Sequence, residues 1–498
     1  MSTALRATER ATEVKLVLHS DRPLARIPAD FTGLSYETSQ LSEPDFFSAS
    51  NQSLVSFFRL LSPQGVLRLG GNSSEFCWWK ASVSSAAPAL KRPSGPVEQN
   101  WMPHALTAIT REAVDQLAGF LEATGWTLVY GLNLGTGTPE RAADEAAYVA
   151  EKTGHRLQFF QIGNEPEYYR NPTNQLRPPS WNFDDYLKQW LQFARAVCVR
   201  VKGAKLGGPD VGSNADWVAS FARQAPPELG NSIVACTGHY YAMGPPDDPR
   251  MNIERLLSPD PRIDAGMSRI MPAAREAKLA FRMTEGNSCY RGGKPSVSDA
   301  FASALWAGDY MLHLARLGCS GVNLHGGSTR QIRAALGDHL PGADMASRAK
   351  AAVNGPSYTP IAGSPDTGYS ARPIYYGMLM ANQFAGSTLV DCELETPTAN
   401  ASAYAAKTAN GSIAAVFNKD ATRDLRVMIP CKSAVSHARV WRLTATSLEA
   451  SAGVRLAGAE IEADAGWRPA DDEAPRPEGA LYRLSLPRAS AALVFITE

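Results

Sequence analysis

Two glutamates in this sequence follow short apolar segments that resemble the ends of β-strands. Residues 161–167 read QIGNEPE and residues 282–287 read RMTEGN, so the glutamates are Glu165 and Glu285. Two carboxyl groups about 5–5.5 Å apart can cleave a glycosidic bond, with one acting as nucleophile and the other as general acid and base. Proline rarely continues a strand, so Glu167, which lies beyond the intervening proline, is expected to be a supporting or solvated group.

A lone glutamate at the end of a strand is usually a solvated or ion-paired surface group. The sequence Asn-Glu-Pro directly after an apolar run is much more specific, and a second glutamate after a later strand strengthens the interpretation. Whether the two carboxyl groups can meet depends on the strands that carry them.

Short apolar segments and amphipathic segments alternate from about residue 31 to residue 385. Eight strands are predicted, at residues 31–37, 65–71, 127–135, 157–163, 204–211, 234–241, 279–284 and 318–324. The clearest helices are predicted at residues 112–124, 141–153, 183–202 and 298–317. Eight β-then-α units in series favour a closed (β/α)8 TIM barrel over an open doubly wound sheet. Glu165 and Glu285 then end the fourth and seventh strands at the carboxyl-terminal mouth, nearly opposite each other.

The chain changes character after about residue 387. Helical periodicity disappears, alternating apolar and polar segments follow, and Asn410-Gly411 is a strong signal for a two-residue hairpin turn. We predict a β-sandwich at residues 387–498, after a catalytic barrel at residues 29–386. Residues 14–19 are also strand-like, so the N-terminal segment, residues 1–28, is predicted to add a strand to the sandwich.

The charge, the cysteine pattern and the apolar runs of the sequence exclude several classes of function. The sequence has 49 basic and 49 acidic side chains, which argues against a broad nucleic-acid interface. Its seven cysteines form no CxxC or Cys/His cluster, so neither a metal site nor a disulfide framework is predicted. We expect a protein without cofactors, and we expect it to be a monomer. No apolar run reaches the roughly 18 residues needed to cross a membrane. The N-terminus lacks the apolar region of a signal peptide, which leaves a cytoplasmic protein or one whose leader has been removed.

The glutamate motifs resemble those of clan A of the glycoside hydrolases. In that clan the glutamate of Asn-Glu-Pro on strand 4 is the acid/base, and the glutamate that ends strand 7 is the nucleophile. The resemblance implies these roles for Glu165 and Glu285. It also implies that Asn164, the asparagine before the acid/base, binds the 2-hydroxyl of the sugar.

A third element of the clan has a counterpart here. Clan A enzymes carry a His-x-Tyr element at the end of strand 6, where it orients the nucleophile. Residues 238–241 (GHYY) end the sixth predicted strand. The resemblance therefore assigns this role to Tyr240 or Tyr241, without deciding between them, and makes His239 a supporting residue.

More of the chain resembles glycoside hydrolase family 79, which holds microbial β-glucuronidases and heparanases. Beyond the glutamate motifs, the matching segments are residues 31–37 (FTGLSYE), 67–72 (LRLGGN) and 290–293 (YRGG). They span most of the predicted barrel, and the predicted C-terminal β-domain fits the family as well. The resemblance is closest to the bacterial β-glucuronidases.

The family resemblance implies a pocket for the carboxylate of a glucuronic acid. In the family this pocket consists of a tyrosine and glycine amides that follow the nucleophile, together with a tyrosine from the loop after strand 8. The counterparts here are Tyr290, Gly292, Gly293 and Tyr358. Glycine lacks a Cβ, so a carboxylate can approach its backbone N–H closely.

These resemblances lead us to expect a retaining, exo-acting β-glucuronidase whose substrate is a glucuronide or another glycan that contains uronic acid. The alternatives are a heparanase-like endo-β-glucuronidase acting on heparan sulfate, a neutral-sugar glycosidase of clan A and a catalytically inactive carbohydrate-binding barrel. Zero net charge and a long predicted loop at residues 326–360, which would close one end of the cleft, favour exo action.

Overall fold

A computed structural model of the chain describes residues 11–90, 102–172, 174–337, 356–396, 398–430 and 437–497. The described strands are β1 (Thr12–Arg26), β2 (Thr32–Glu37), β3 (Val66–Gly70), β4 (Cys77–Lys80), β5 (Thr107–Thr110), β6 (Thr127–Leu132), β7 (Leu157–Ile162), β8 (Leu206–Val211), β9 (Ile233–Met243), β10 (Ala280–Cys289), β11 (Gly321–Gly326), β12 (Ile361–Ser364), β13 (Gly368–Ala371), β14 (Thr388–Glu395), β15 (Ala401–Thr408), β16 (Gly411–Asn418), β17 (Leu425–Pro430), β18 (His437–Thr444), β19 (Arg455–Leu456), β20 (Leu481–Leu486) and β21 (Ser490–Thr497). The described α-helices are α1 (Gln52–Leu61), α2 (Arg111–Thr124), α3 (Pro139–Thr153), α4 (Phe183–Arg200), α5 (Ala215–Leu229), α6 (Ile253–Leu257), α7 (Pro261–Glu276), α8 (Phe301–Arg316), α9 (Thr329–Ala335) and α10 (Pro373–Asn382). None of these helices has both the length and the apolar character of a membrane-spanning segment.

Eight parallel strands close into a barrel in the order β2-β3-β6-β7-β8-β9-β10-β11, and β11 pairs back onto β2. Each overlaps one of the eight strands predicted from the sequence, so the predicted (β/α)8 fold is confirmed, although β10 continues past Glu285 to Cys289 instead of ending there. The strands are almost entirely buried, as expected where helices cover the outside of a barrel and side chains fill its interior.

Helix α4 shows how the sequence produces the outer layer of the barrel. Its buried side chains recur at helical spacing: Tyr186, Leu187, Trp190, Leu191, Phe193, Ala194 and Val197. Asn182 caps the helix by accepting hydrogen bonds from the backbone N–H groups of Asp184 and Asp185. The buried stripe packs α4 against α3, α5 and β7, which covers this side of the barrel.

Nine strands form a separate β-domain, in the order β19-β18-β21-β16-β15-β14-β1-β17-β20. Val440 of β18 and Leu484 of β20 come from near opposite ends of this order, yet both lie in one apolar core, so the sheet curls around its own interior. The predicted β-domain is confirmed in this form. Strand β1 pairs antiparallel with β14 and parallel with β17, and the exact domain boundaries near residues 29 and 387 stay predictions.

The prediction of one long loop at residues 326–360 is wrong in its first part, which contains helix α9. Ser328 caps this helix by accepting a hydrogen bond from the backbone N–H of Gln331. Ile332 and Ala335 are buried and anchor the short helix to the barrel. Residues 338–355 of the predicted loop lie outside the described residues.

Glu145 of α3 is a buried carboxyl group whose ionisation is coupled to folding. It is 6% exposed, and the hydroxyl of Tyr130 donates a 2.7 Å hydrogen bond to its Oε1. Burial outweighs this hydrogen bond and raises the pKa of Glu145 from 4.5 to about 7. The folded chain therefore binds this proton more tightly than the unfolded chain. The resulting stabilisation is complete below about pH 4.5 and is lost as the pH rises through about 7.

Glu145→Gln keeps an acceptor for Tyr130 but cannot ionise, so it should gain stability relative to the wild type as the pH rises. We subtract the free energy of unfolding of the wild type from that of the variant at each pH. This difference should increase by about 3 kcal/mol when the pH is raised from about 4 to about 8. Urea unfolding at the two pH values measures this change. Glu151→Gln, at an exposed position of the same helix, is the matched control, and an equal change in both variants would contradict the prediction.

Candidate active site

A cavity of about 780 Å³ opens at the carboxyl-terminal mouth of the barrel. Both predicted catalytic residues line it, since Glu165 follows the end of β7 and Glu285 lies in the second half of β10. All four tyrosines singled out in the sequence line the same cavity: Tyr240, Tyr241, Tyr290 and Tyr358. Barrel closure thus gathers residues from distant parts of the sequence in one place.

The two catalytic candidates lie close together in this cavity. One carboxylate oxygen of Glu165, one of Glu285 and one ring nitrogen of His239 lie within 4.8 Å of one another. The side chain of Glu165 is 21% exposed, whereas that of Glu285 is 8% exposed. A substrate atom between the glutamates would therefore meet one partly hydrated and one buried carboxyl group.

The backbone at Glu165 lies in the left-handed region, with φ 47° and ψ 50°. Few non-glycine residues adopt this conformation, which costs on the order of 1–3 kcal/mol. Two backbone hydrogen bonds hold it: Glu165 N–H donates to the carbonyl of Asp210 at 2.8 Å, and Tyr168 N–H donates to the carbonyl of Glu165 at 2.9 Å. The resulting turn places the Glu165 side chain in the wall of the cavity.

Each carboxylate oxygen of Glu285 accepts a hydrogen bond. Tyr241 OH donates to Oε1 at 2.8 Å, and Arg68 Nη1 donates to Oε2 at 2.6 Å. Burial by itself raises the pKa of Glu285, but the His325, His239 and Arg68 side chains outweigh it and hold the pKa at about 2. Glu285 is therefore ionised throughout the neutral range, as a nucleophilic carboxylate must be.

The structure distinguishes the two tyrosines that the sequence left open. Tyr241 contacts Glu285, whereas the hydroxyl of Tyr240 donates to the carboxylate of Asp260 and its ring stacks on Tyr310, with centroids 5.8 Å apart. Successive side chains of a strand point to opposite faces, so only one of the pair reaches the nucleophile. Tyr240 borders the cavity without contacting Glu285.

Arg68 and Asp210, which sequence reasoning did not single out, form the centre of a buried network beneath the cavity. Arg68 Nη2 donates to Asp210 Oδ2 at 2.5 Å and to Asn164 Oδ1 at 2.8 Å. Burial by itself raises the pKa of Asp210, but Arg68 and His239 outweigh it and hold the pKa well below its usual range. Both charged side chains are almost inaccessible to solvent, so each depends on the other for compensation.

His239 links this network to Glu165. Its Nε2 lies 3.0 Å from Asp210 Oδ1, and its Nδ1 lies 3.1 Å from Glu165 Oε1. Burial lowers the pKa of His239, but the charges of Asp210 and Glu285 outweigh burial and raise the pKa to about 10. The ring is then an imidazolium that donates from both nitrogens. Its contact at Nδ1 supports Glu165.

Asn164, directly before the acid/base candidate, is fixed by three hydrogen bonds. Its Oδ1 accepts from Arg68, its Nδ2 donates to Asn72 Oδ1 at 3.4 Å, and its backbone N–H donates to the carboxylate of Glu75. Glu75 is a further residue that the sequence did not reveal, and burial raises its pKa to about 7. Asn72 lines the cavity, and Asn164 is buried next to it.

The loop after Glu285 brings Tyr290 into the cavity, near two further tyrosines. The ring centroid of Tyr241 lies 6.3 Å from that of Tyr290 and 6.4 Å from that of Tyr358. Gly292 and Gly293 have φ of 87° and 85° and are not among the described residues that line the cavity. A Cβ at Gly293 would lie 2.7 Å from the backbone nitrogen of Tyr358, so the close approach is to the protein's own chain.

The sequence of the chain is similar to those of several known proteins. No protein-family model matches the chain. Over 341 residues the chain is 24% identical to a β-glucuronidase of Aspergillus niger, in a match that covers 63% of this chain and 59% of that protein. Over 336 residues it is 23% identical to a heparanase of Mus musculus, covering 59% of this chain and 61% of that protein. The chain is a relative of β-glucuronidases and heparanases.

These relatives confirm the resemblance to glycoside hydrolase family 79 that the sequence motifs indicated. A β-glucuronidase of Neurospora crassa is a further relative, 24% identical over 331 residues, which cover 59% of this chain and 57% of that protein. The chain spans about three fifths of the length of the curated relatives it matches.

Solved structures with the same fold extend the comparison to almost the whole chain. A 4-O-α-L-rhamnosyl-β-D-glucuronidase from Fusarium oxysporum 12S superposes with a TM-score of 0.72 at 16% identity, covering 97% of this chain and 100% of that chain. A family 51 arabinofuranosidase from Xanthomonas axonopodis pv. citri gives a TM-score of 0.68 at 16% identity, covering 98% and 100%. These similarities confirm the fold, a barrel with an attached β-domain.

Proposed function

We propose that the chain is a retaining, exo-acting β-glucuronidase that releases glucuronic acid from the non-reducing end of β-glucuronides. The observation that supports this most directly is the glutamate pair, in which one carboxylate oxygen of Glu165 lies within 4.8 Å of one carboxylate oxygen of Glu285. Retaining glycosidases place the two carboxyl groups about 5–5.5 Å apart, whereas inverting enzymes need roughly 6.5–9.5 Å to admit a water molecule. The short separation favours the retaining mechanism.

In the proposed reaction Glu285 attacks the anomeric carbon while Glu165 protonates the departing glycosidic oxygen. The bond from the anomeric carbon to this oxygen breaks, and a covalent glycosyl-enzyme forms on Glu285. Glu165, now ionised, takes a proton from a water molecule, which attacks the same carbon, breaks its bond to the Glu285 carboxylate and releases glucuronic acid. Two inversions leave the anomeric configuration unchanged.

The contacts around each glutamate suit it to its proposed role. Tyr241 and Arg68 orient the nucleophile and favour its ionised form. His239 contacts the acid/base and limits its movement. We assign Asn164 to the 2-hydroxyl of the sugar, as the clan resemblance implies, since its buried amide lies beside the cavity.

We assign the sugar carboxylate to the loop that follows the nucleophile. The backbone N–H groups of Gly292 and Gly293 donate to no acceptor within the described part of the chain. Consecutive backbone N–H groups in such turns are suited to binding anions. Tyr290 and Tyr358 line the cavity and add two hydroxyl groups. The two tyrosines offer donors from the cavity wall, and the two glycines, which are not among its described lining residues, would add backbone N–H groups.

The apolar wall beside Tyr358 supports exo action. Ile332 and Leu336 pack with Tyr358 next to Tyr241, and all four residues line the cavity. An endo-acting enzyme needs a cleft that is open at both ends, whereas this group closes one side. Since Tyr358 is assigned to the sugar carboxylate, the closed side is where the non-reducing end of the substrate would lie.

A panel of substrates tests this proposal: an aryl β-glucuronide, an aryl xyloside, an aryl arabinofuranoside and a heparan sulfate chain. We expect kcat/KM to be at least about 100-fold higher for the glucuronide, because neutral sugars leave the carboxylate donors unpaired. Proton NMR should show the β-anomer of glucuronic acid as the first product. Glu285→Gln, prepared identically, controls for contaminating glycosidases.

Three results of this panel would overturn the proposal. A preference for the xyloside or arabinofuranoside would make the chain a neutral-sugar glycosidase. Internal cleavage of heparan sulfate without release of terminal uronic acid would make it an endo-acting enzyme. Binding without any hydrolysis would make it a catalytically inactive carbohydrate-binding barrel.

A further inference from the structure

Part of the cavity remains after the sugar and its carboxylate have been assigned. Its lining includes the loop of residues 212–215, which follows β8 and lies next to Glu165. A Cβ at Gly212 would lie 2.8 Å from Glu165 Oε1, so the loop directly borders the acid/base carboxyl group. We call this part the side pocket, and six apolar side chains line it: Val218, Ile263, Met267, Ile270, Phe281 and Met283.

The side pocket occupies the layer between the barrel strands and the outer helices. Helix α7 lines the cavity with Arg262 and with four residues at positions i, i+3, i+4 and i+7, which share one helix face: Ile263, Gly266, Met267 and Ile270. Helix α5 contributes Val218, and strand β10 contributes Phe281 and Met283, which are all buried. Gly238 of strand β9 also lines the cavity, and a Cβ there would lie 3.6 Å from the ring of Phe281.

A void of this composition is unusual unless it receives a ligand. Protein interiors are packed as closely as organic crystals, and voids larger than a water molecule are few. Cavities lined by aliphatic and aromatic side chains stay dry and accept apolar guests such as aromatic rings. The whole cavity, at about 780 Å³, has the size of sites that bind small organic ligands.

We infer that the natural aglycone is an apolar aromatic alcohol, whose ring enters the side pocket while its glycosidic oxygen faces Glu165. This inference rests on the proposed β-glucuronidase activity, because it assigns the leaving group of that reaction. A second sugar ring in the side pocket would place hydroxyl groups against the six apolar side chains, which offer them no hydrogen bonds, although Ser213, Asn214 and Arg262 line the same cavity. An aromatic ring buries its surface there without such a penalty.

Gly266 offers a substitution that fills the side pocket without disturbing the helix. It lies within α7, and a Cβ at this position meets no atom within 4 Å. Gly266→Phe adds a ring to the pocket, whereas Gly266→Ala adds only the Cβ and is the matched control. Methyl glucuronide and 2-naphthyl glucuronide are the probes, since the first leaves the side pocket empty and the second fills it.

The measured quantity is the ratio of kcat/KM for the naphthyl substrate to that for the methyl substrate, which cancels effects common to both. We expect Gly266→Phe to lower this ratio at least about tenfold, mainly through a higher KM for the naphthyl substrate. Gly266→Ala should change the ratio less than about twofold. Ile263→Gln, which makes the wall polar without filling the pocket, should lower the ratio as well and serves if Gly266→Phe does not fold.

Unchanged ratios in Gly266→Phe and Ile263→Gln would overturn the inference while leaving the proposed function intact. A third probe, a glucuronide linked to a second sugar, completes the test: a loss in Gly266→Phe confined to this probe would also overturn the inference, because a sugar would then occupy the side pocket. If the wild type hydrolyses neither probe, the proposed function fails, and the inference fails with it.

Discussion

Glu285→Gln should lower kcat on an aryl glucuronide by about 10⁴-fold or more, as expected when an enzyme loses its nucleophile. Glutamine has the shape of glutamate and can still accept a hydrogen bond from Tyr241, but it has no carboxylate to form an ester with the anomeric carbon. The folded protein should also lose stability, because Arg68 and His239 lose one of the two carboxylates that compensate them. Steady-state kinetics and thermal unfolding measure the two effects.

Rescue by azide separates loss of the nucleophile from general damage to the cavity. In Glu285→Ala the vacated space faces the α side of a bound β-glucuronide and adjoins the guanidinium of Arg68. Azide that enters this space should attack from the α side and give the α-glucuronosyl azide, which NMR identifies. Formation of the β-azide, or retention of more than a few per cent of the wild-type activity in Glu285→Gln, would exclude Glu285 as the nucleophile.

The sequence predicts those residues of the site that lie in short, recognisable motifs. Glu165 and Glu285 lie in short motifs at the ends of apolar strands, so the residues and the strands that carry them can be predicted together. Arg68 is the one charged residue of the buried strand β3, but its partners Asp210 and Glu285 are 142 and 217 positions away. Their pairing exists only because the barrel closes, and no local pattern predicts it.

The choice between Tyr240 and Tyr241 was open for a different reason. Side chains alternate along a strand, so one tyrosine must face inward, but the pairing register decides which. That register shifts between Met283 and Glu285, where β10 pairs with β9. The extra residue, Thr284, makes Glu285 pair with His239, and Tyr241 lies two positions beyond His239 on the same face of β9. The sequence of one strand does not reveal this extra residue in its neighbour.

Glu165→Ala should impair hydrolysis to a degree that depends on the leaving group. A good leaving group such as 4-nitrophenol departs with little protonation, so formation of the glycosyl-enzyme should slow by about tenfold or less, whereas an alkyl alcohol should leave about 10²–10⁴-fold more slowly. Breakdown of the glycosyl-enzyme also loses its general base. Rapid mixing with 4-nitrophenyl glucuronide should therefore show a burst of nitrophenol followed by slow turnover.

The matched control for Glu165→Ala is Glu167→Gln, two residues along the chain. Glu167 is buried, Ser213 N–H donates to its Oε1 at 3.1 Å, and burial together with the charge of Glu165 raises its pKa to about 8. At about pH 6 Glu167 is therefore protonated, and glutamine mimics it closely, so this variant should keep the leaving-group dependence of the wild type. Equal losses for good and poor leaving groups in Glu165→Ala, or a loss in Glu167→Gln that grows as the leaving group becomes poorer, would remove the acid/base role from Glu165.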